Sequence, residues 1–255
     1  MLMAVNINNT RTGVGFFVGG ALRESISLAT AELPAHIPAL LSRLAADARV
    51  VCASVVPAMS TDFAAKLSHA GLAVENLAAQ EGMGISFAGV NYSELGADLF
   101  ANALAVHETW GRDSLNVDLG TGSTFCVVKS GVYQGTVIVP GMELSFRALT
   151  DRAALLRTVE LGKPARIINT TTTACLQAGI YYGYTELVRG MISRIQREQG
   201  KLFVVLTGGI GSFLKDELMD VVDVFEPDLS LLGISLAADK VARFPLVADS
   251  VDCNN

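Results

Sequence analysis

The chain has 255 residues, 51% hydrophobic and 17% charged, a balance that can bury a large core and excludes a disordered chain. Its net charge is −6 and no basic run exceeds two residues, which argues against a nucleic-acid binder. The longest uncharged run, 167–185, carries five Thr and is a poor membrane span, and no basic segment precedes the first apolar residues, so no export signal is expected.

In chain order, the first expected feature is a hairpin. Val5 to Ile7 reads as a strand, Asn8-Asn9-Thr10 as a tight polar turn, and Gly13 to Val18 as the returning strand. Residues 34–48 carry a helical apolar stripe, and 50–56 a β-branched run stopped by Pro57. Ser60-Thr61-Asp62 is expected to cap a helix that ends before Gly71. Residues 94–107 read as helix. The pattern of the first hairpin then returns 112 residues later, as Val117-Asp118-Leu119, the turn Gly120-Thr121-Gly122, and Phe125 to Val128. Further on, 133–139 reads as strand, 143–156 as helix, and 172–198 as a long helix bearing Gly179, Gly183 and Gly190. Residues 202–206 form a strand that runs into Thr207-Gly208-Gly209, and Ser212 opens a helix. A last strand at 222–225 and a last helix at 229–241 complete the alternation, which is that of an α/β protein. The repeated hairpin divides the chain into halves 1–112 and 113–255.

The four cysteines are far apart and the three histidines isolated, so no zinc or disulfide framework is expected and a reducing cytoplasm fits. Three turns rich in glycine or hydroxyls follow apolar strands: Asn8-Asn9-Thr10, Gly120 to Thr124, and Thr207-Gly208-Gly209. Glycine lets backbone N–H groups approach a phosphate, so three such turns point to a nucleotide site, although no Walker loop is present. Asp118 ends a strand, where a carboxylate can hold a cation beside phosphates or merely close its own turn. Asp98 stands near a helix start, where the helix dipole alone would favour an acid.

The ordered motifs NINNT, CASVVP, Tyr92 followed by ELGAD, DLGTGSTF, GVYQGTVIVPGMELSFRAL, TTACLQAGIYYGY and VVLTGGIG resemble those of type III pantothenate kinases, from about Val5 to Gly211. The resemblance implies two duplicated ribonuclease-H-like halves of the actin-like ATPase and sugar kinase superfamily, with a nucleotide cleft between them. It implies ATP-dependent phosphorylation of pantothenate to 4'-phosphopantothenate, the first step of coenzyme A synthesis, by a cytoplasmic homodimer that uses Mg²⁺ and a monovalent cation, K⁺ or NH₄⁺. Carried over by motif, Asp98 is the general base and Asp118 the monovalent-cation ligand. ATP falls to Asn6, Asn9, Thr10, Gly13, Gly120, Thr121, Gly208 and Gly209. The acceptor falls to Tyr92, Gly96, Ala97, Leu99 and Thr172, the last acting from the neighbouring subunit.

Four positions depart from the family pattern, one of them Asn8, which stands for a Gly and still tolerates a left-handed turn. Asn6 stands for an Asp that serves Mg²⁺, Leu99 for an Arg able to clamp a carboxylate, and Cys126 for an Asp. Arg112, Arg147 and Arg166 are the candidate substitute cations. The departures leave a second expectation open, a nucleotide-binding relative without kinase activity or with another substrate. A ribonuclease-H-type nuclease needs an acid on the first strand, and Asn6 stands there.

Overall fold

The computed structural model describes residues 1–45, 47–153, 156 and 159–241. Residue 46 of the expected first helix, residues 154 and 155 of the expected 143–156 helix, and Cys253 lie outside them. The chain divides into two compact units. The first comprises Met1–Glu108 and the C-terminal segment beginning at Asp228, and the second is Thr109–Pro227.

In the first unit, β1 (Leu2–Ile7), β2 (Arg11–Val18) and β3 (Ala21–Ala29) form an antiparallel meander. A 3-10 turn (Thr30–Glu32) then leads into α1 (Leu33–Leu41), β4 (Arg49–Ser54), α2 (Pro57–His69), β5 (Val74–Asn76) and a two-residue strand β6 (Ser86–Phe87). A second 3-10 turn (Tyr92–Glu94) precedes α3 (Ala97–Trp110), whose last residues enter the second unit. The sheet order is β3-β2-β1-β4-β5, with β4 parallel to both β1 and β5. Alternation along β1 and β4 sends Met3, Val5, Ile7, Val50 and Cys52 to the face covered by Leu33, Ile37, Phe63 and Leu67.

The second unit repeats this plan. β7 (Ser114–Leu119), β8 (Gly122–Lys129) and β9 (Val132–Pro140) form the meander. They are followed by α4 (Met142–Arg152), α5 (Thr172–Gln199), β10 (Phe203–Thr207), α6 (Gly209–Leu218) and β11 (Val224–Phe225). Within this unit the strands run β9-β8-β7-β10-β11, the same order as β3-β2-β1-β4-β5, with β10 parallel to β7 and β11. The duplication read from the two hairpins is therefore a duplication of the whole sheet. Leu115, Val117, Leu119 and Phe125 form the core with Tyr184, Val188 and Ile192 of α5 and Leu214 of α6.

Several boundaries differ from the sequence reading, each for a local reason. The first helix ends at Leu41 because Ser42, Arg43 and Leu44 bond back to Pro38, Leu40 and Leu41 in successive turns. β4 stops at Ser54, whose hydroxyl accepts the Val56 N–H at 3.0 Å and turns the chain. The next helix starts at Pro57 rather than at the Ser60 cap, since proline at the first helical position is pre-set in φ. The 94–107 helix begins at Ala97 and runs on to Trp110, after the Tyr92–Glu94 turn. α6 begins at Gly209, ahead of Ser212.

The domain boundary also differs from the expected halves 1–112 and 113–255. The last helix, α7 (Leu229–Val241), packs on β1, β2 and β4 of the first unit. Ser230 Oγ donates to Asn102 Oδ1 at 2.7 Å, Lys240 pairs with Glu108 at 2.6 Å, and Arg49 bonds both Glu75 and the Ala238 carbonyl. Helix contact is closest at Gly233, where an added Cβ would stand 1.9 Å from the Ala101 carbonyl oxygen. Gly233→Ala is accordingly expected to destabilise the protein by about 1–3 kcal/mol, an overpacking cost read by urea unfolding. An unchanged midpoint would show that α7 does not bear on α3. Among the described residues, no helix is long and apolar enough to cross a membrane.

Candidate active site

In the first unit the β1–β2 turn is pinned from beneath. Asn8 N–H bonds Arg11 O at 3.1 Å, Thr30 N–H bonds Thr10 O at 3.0 Å, and Thr30 Oγ1 donates to Asn8 O at 2.6 Å. The Thr12 and Thr30 hydroxyls meet at 3.0 Å. Asn6 is buried at 6% exposure between Gly13 of β2 and Ala53 of β4. Its Oδ1 and that of Asn8 are buried with no hydrogen-bond partner. These neutral acceptors suit a weakly held cation or its water ligands. Asn9 and Thr10 are exposed at the turn tip and Gly13 is half-buried.

Asp98 opens α3, and Leu99 N–H donates to its Oδ1 at 2.8 Å. Burial holds its carboxyl above the ordinary carboxylate range, against the pull of these backbone bonds. Gly96 leaves room for it, because a Cβ there would lie 2.6 Å from Asp98 Oδ1. Ala97 is buried and Leu99 half-buried. Tyr92 is 38% exposed and packs on Phe87 at 5.2 Å, which in turn meets Phe100 of α3 at 6.3 Å. Asn91 fixes that turn by accepting from Ser93 Oγ at 2.7 Å and donating to Glu94 at 2.7 Å.

In the second unit Asp118 is half-buried at the end of β7, opposite Thr124 on β8 and Thr207 on β10. Glycine turns close around it. Gly208 adopts φ +90°, and a Cβ there would stand 2.6 Å from Asp118 Oδ1 and 2.5 Å from Leu119 O. A Cβ on Gly141 would stand 2.2 Å from Gly120 O and 2.3 Å from Thr121 O, while Gly141 N–H bonds Thr121 O at 2.9 Å. Gly141 and Gly208 are the N-caps of α4 and α6, so two helix N-termini open beside the Gly120-Thr121 turn, an arrangement suited to anions. The carboxylate and turn carbonyls form an oxygen set suited to a hard monovalent cation. Gly208→Ala combines a strained φ with that collision. We expect kcat/KM to fall by about 10²-fold, the cost of an ångström-scale displacement, in steady-state kinetics. A wild-type value would mean the turn can move without affecting the site.

Thr172 is exposed as the first residue of α5, beside Thr171, which caps the helix by accepting from Ala174 N–H at 3.3 Å. Of the candidate substitute cations, Arg112 is committed to the Phe203 ring at 4.4 Å, and Arg147 and Arg166 are exposed. Cys126 is fully buried and its thiol is pushed up to about 12, so it is no nucleophile at neutral pH. Three contributors escaped sequence reasoning. Gly141 is marked in the sequence only by the strand-ending Pro140-Gly141, Thr30 has no local signal, and Tyr184 pins β8 by donating to Ser123 Oγ at 2.6 Å from 61 residues away. Among the described residues no three His, Cys, Asp or Glu gather as a metal cage.

The duplicated sheets place the chain in a known class. A Sinorhizobium meliloti protein described as a 2-dehydro-3-deoxygalactonokinase superposes with a TM-score of 0.58 at 13% identity, covering 98% of this chain and 99% of that one. (R)-2-hydroxyglutaryl-CoA dehydratase component A from Acidaminococcus fermentans gives 0.52 at 14% identity, over 94% and 98%. The fold is the duplicated ribonuclease-H-like fold of actin-like ATPases and sugar kinases. A model of the type III pantothenate kinase family matches residues 2–194. The type III pantothenate kinase of Thermomicrobium roseum is 37% identical over 95% of this chain and 98% of its own length, and that of Moorella thermoacetica 36% over 94% and 99%. The chain belongs to the type III pantothenate kinase family.

Proposed function

We propose that this protein transfers the γ-phosphoryl group of ATP to the primary hydroxyl of pantothenate, the entry step of coenzyme A synthesis. The observation that carries this reading is a half-buried carboxyl at the start of α3, in a segment that resembles the family's motif and kept above the ordinary carboxylate range by desolvation. Phosphoryl transfer needs positioning and charge neutralisation more than covalent help. Asp98 accepts the hydroxyl proton as the oxygen attacks. In the first unit Asn6, Asn9, Thr10 and Gly13 offer backbone, amide and hydroxyl groups to ATP, and in the second unit Gly120, Thr121, Gly208 and Gly209 offer backbone and hydroxyl donors to it. Tyr92, Gly96, Ala97 and Leu99 bind the acceptor.

Mg²⁺ bound with ATP would supply neutralisation of phosphate charge, and Asn6 would offer it a neutral oxygen. Asp118 and the neighbouring turn carbonyls would hold K⁺ or NH₄⁺. The non-catalytic alternative is disfavoured, since the likeness to kinases runs the length of the chain.

A cytoplasmic homodimer completes the reading. Gly179, Gly183 and Gly190 are exposed on α5, and Cβ atoms added there would meet nothing within 4 Å. Such a bare stripe admits a partner helix, and Thr172 then serves the partner subunit's acceptor site. A coupled assay of ADP release, with and without pantothenate and at varied K⁺, tests the reaction. Release should depend on both, and pantothenate-independent release would overturn the reading. Light scattering should give twice the 26.9 kDa chain mass, and a monomer mass would refute the dimer.

A further inference from the structure

Asn116 sits in the middle of β7 at 1% exposure, and neither its Oδ1 nor its Nδ2 has a hydrogen-bond partner. Its cross-strand neighbour on β8 is Cys126. Two residues on, Asp118 faces Thr124, whose Oγ1 is also buried and unpartnered. Strand alternation puts Asn116, Asp118, Thr124 and Cys126 on one face, away from the Leu115, Val117, Leu119 and Phe125 core.

The first hairpin is an internal control. By register, the pair Asn6–Gly13 corresponds to Asp118–Thr124, and Ala4–Gly15 to Asn116–Cys126. In the first unit Leu231 of α7 fills the matching face beside the two glycines, 3.7 Å from a Cβ on Gly13 and 3.2 Å from one on Gly15, and Asn6 Oδ1 is the polar atom orphaned there. In the second unit the equivalent positions carry three orphaned polar atoms. Buried polar groups in folded proteins are satisfied by protein or by ordered water.

The donor set selects the occupant. Asn116 presents an orphan donor and an orphan acceptor together. A cation would leave the Asn116 amide N–H groups unsatisfied and an anion would leave its Oδ1 unsatisfied, whereas a water donates to one and accepts from the other. The neutral Cys126 thiol adds no charge that would favour an ion.

We propose that Asn116 and Thr124 bind an internal water that links the middle of β7 to the Asp118 rung, making Asn116 a positioning residue for the Asp118 carboxylate. The water site stands on geometry alone. The positioning role rests on the assignment of Asp118 as the K⁺ ligand.

Oxygen-17 relaxation dispersion counts long-lived internal waters in the intact protein. Asn116→Leu should lose one, and Thr124→Val, which keeps shape, should lose the same one. An unchanged count in both variants overturns the site, and a higher melting temperature for Asn116→Leu would show the pocket is dry. Potassium binding is read separately, as the rise in melting temperature with KCl against choline chloride. The half-saturating K⁺ concentration should increase about tenfold in Asn116→Leu, as for loss of a partner behind a metal ligand. Loss of the water with unchanged K⁺ dependence removes the positioning role. Absence of any K⁺ effect in the native protein overturns the Asp118 assignment, and the positioning role with it, while the water count still decides the site.

Discussion

Asp98→Asn should lower kcat by about 10²–10⁴-fold, the usual contribution of a general base, while leaving ATP affinity unchanged. It should also make the protein more stable at neutral pH. Burial raises the Asp98 carboxyl above its ordinary range, so the native state binds this proton more tightly than the unfolded chain does. Stability therefore falls as pH rises from the unfolded value, near 4, through the raised native one. Ionising this carboxyl is a burden on the fold, and asparagine removes that burden while keeping size and an acceptor for Leu99 N–H. The melting-temperature difference should vanish below pH 4, where aspartate is protonated in both states. The native rate should fall as pH drops through the raised value, and the variant should lack that acid limb. An unchanged rate in the variant would hand the proton to another group.

The separation of the two units was only partly visible in the sequence. The hairpins were legible because apolar alternation and a polar turn are local signals, and their repetition foretold a duplicated sheet. β3 was missed because Arg23, Glu24 and Ser25 leave its pattern mostly exposed, with no alternation to read. β5 and β6, three and two residues long, carry no periodicity. The return of α7 to the first unit depends on contacts such as Arg49 with Asp239, 190 residues apart, which no local pattern encodes. At the candidate site, motif order named Asp98, Asp118 and the glycine turns as candidates. What it could not give was the surroundings of each. A polar residue in a strand, such as Asn116, reads as outward-facing, and only the register of β7 with β8 shows it buried beside Cys126.

Leu99→Arg should tighten acceptor binding by about ten- to a hundredfold, since a charge-assisted hydrogen bond is worth about 1.5–3 kcal/mol. Leu99 follows the proposed base directly and is half-buried, so a guanidinium there keeps access to solvent. The same charge would act on Asp98. A cation within a few ångströms favours the ionised carboxylate, so the acid limb of kcat should move to lower pH. The two effects separate two geometries. A lower KM for pantothenate, absent for an analogue lacking the carboxylate, places the arginine on the acceptor. A shifted acid limb with unchanged KM places it on Asp98 and refutes Leu99 as an acceptor-binding position. Asn6→Asp tests the other departure. It sets a carboxylate where a neutral Oδ1 is buried without a partner, so it should lower the Mg²⁺ concentration needed for half-maximal rate. Without metal it should destabilise the fold, because an unpaired buried charge is costly. If Asn6→Asp leaves the Mg²⁺ requirement unchanged, the first turn does not meet the metal.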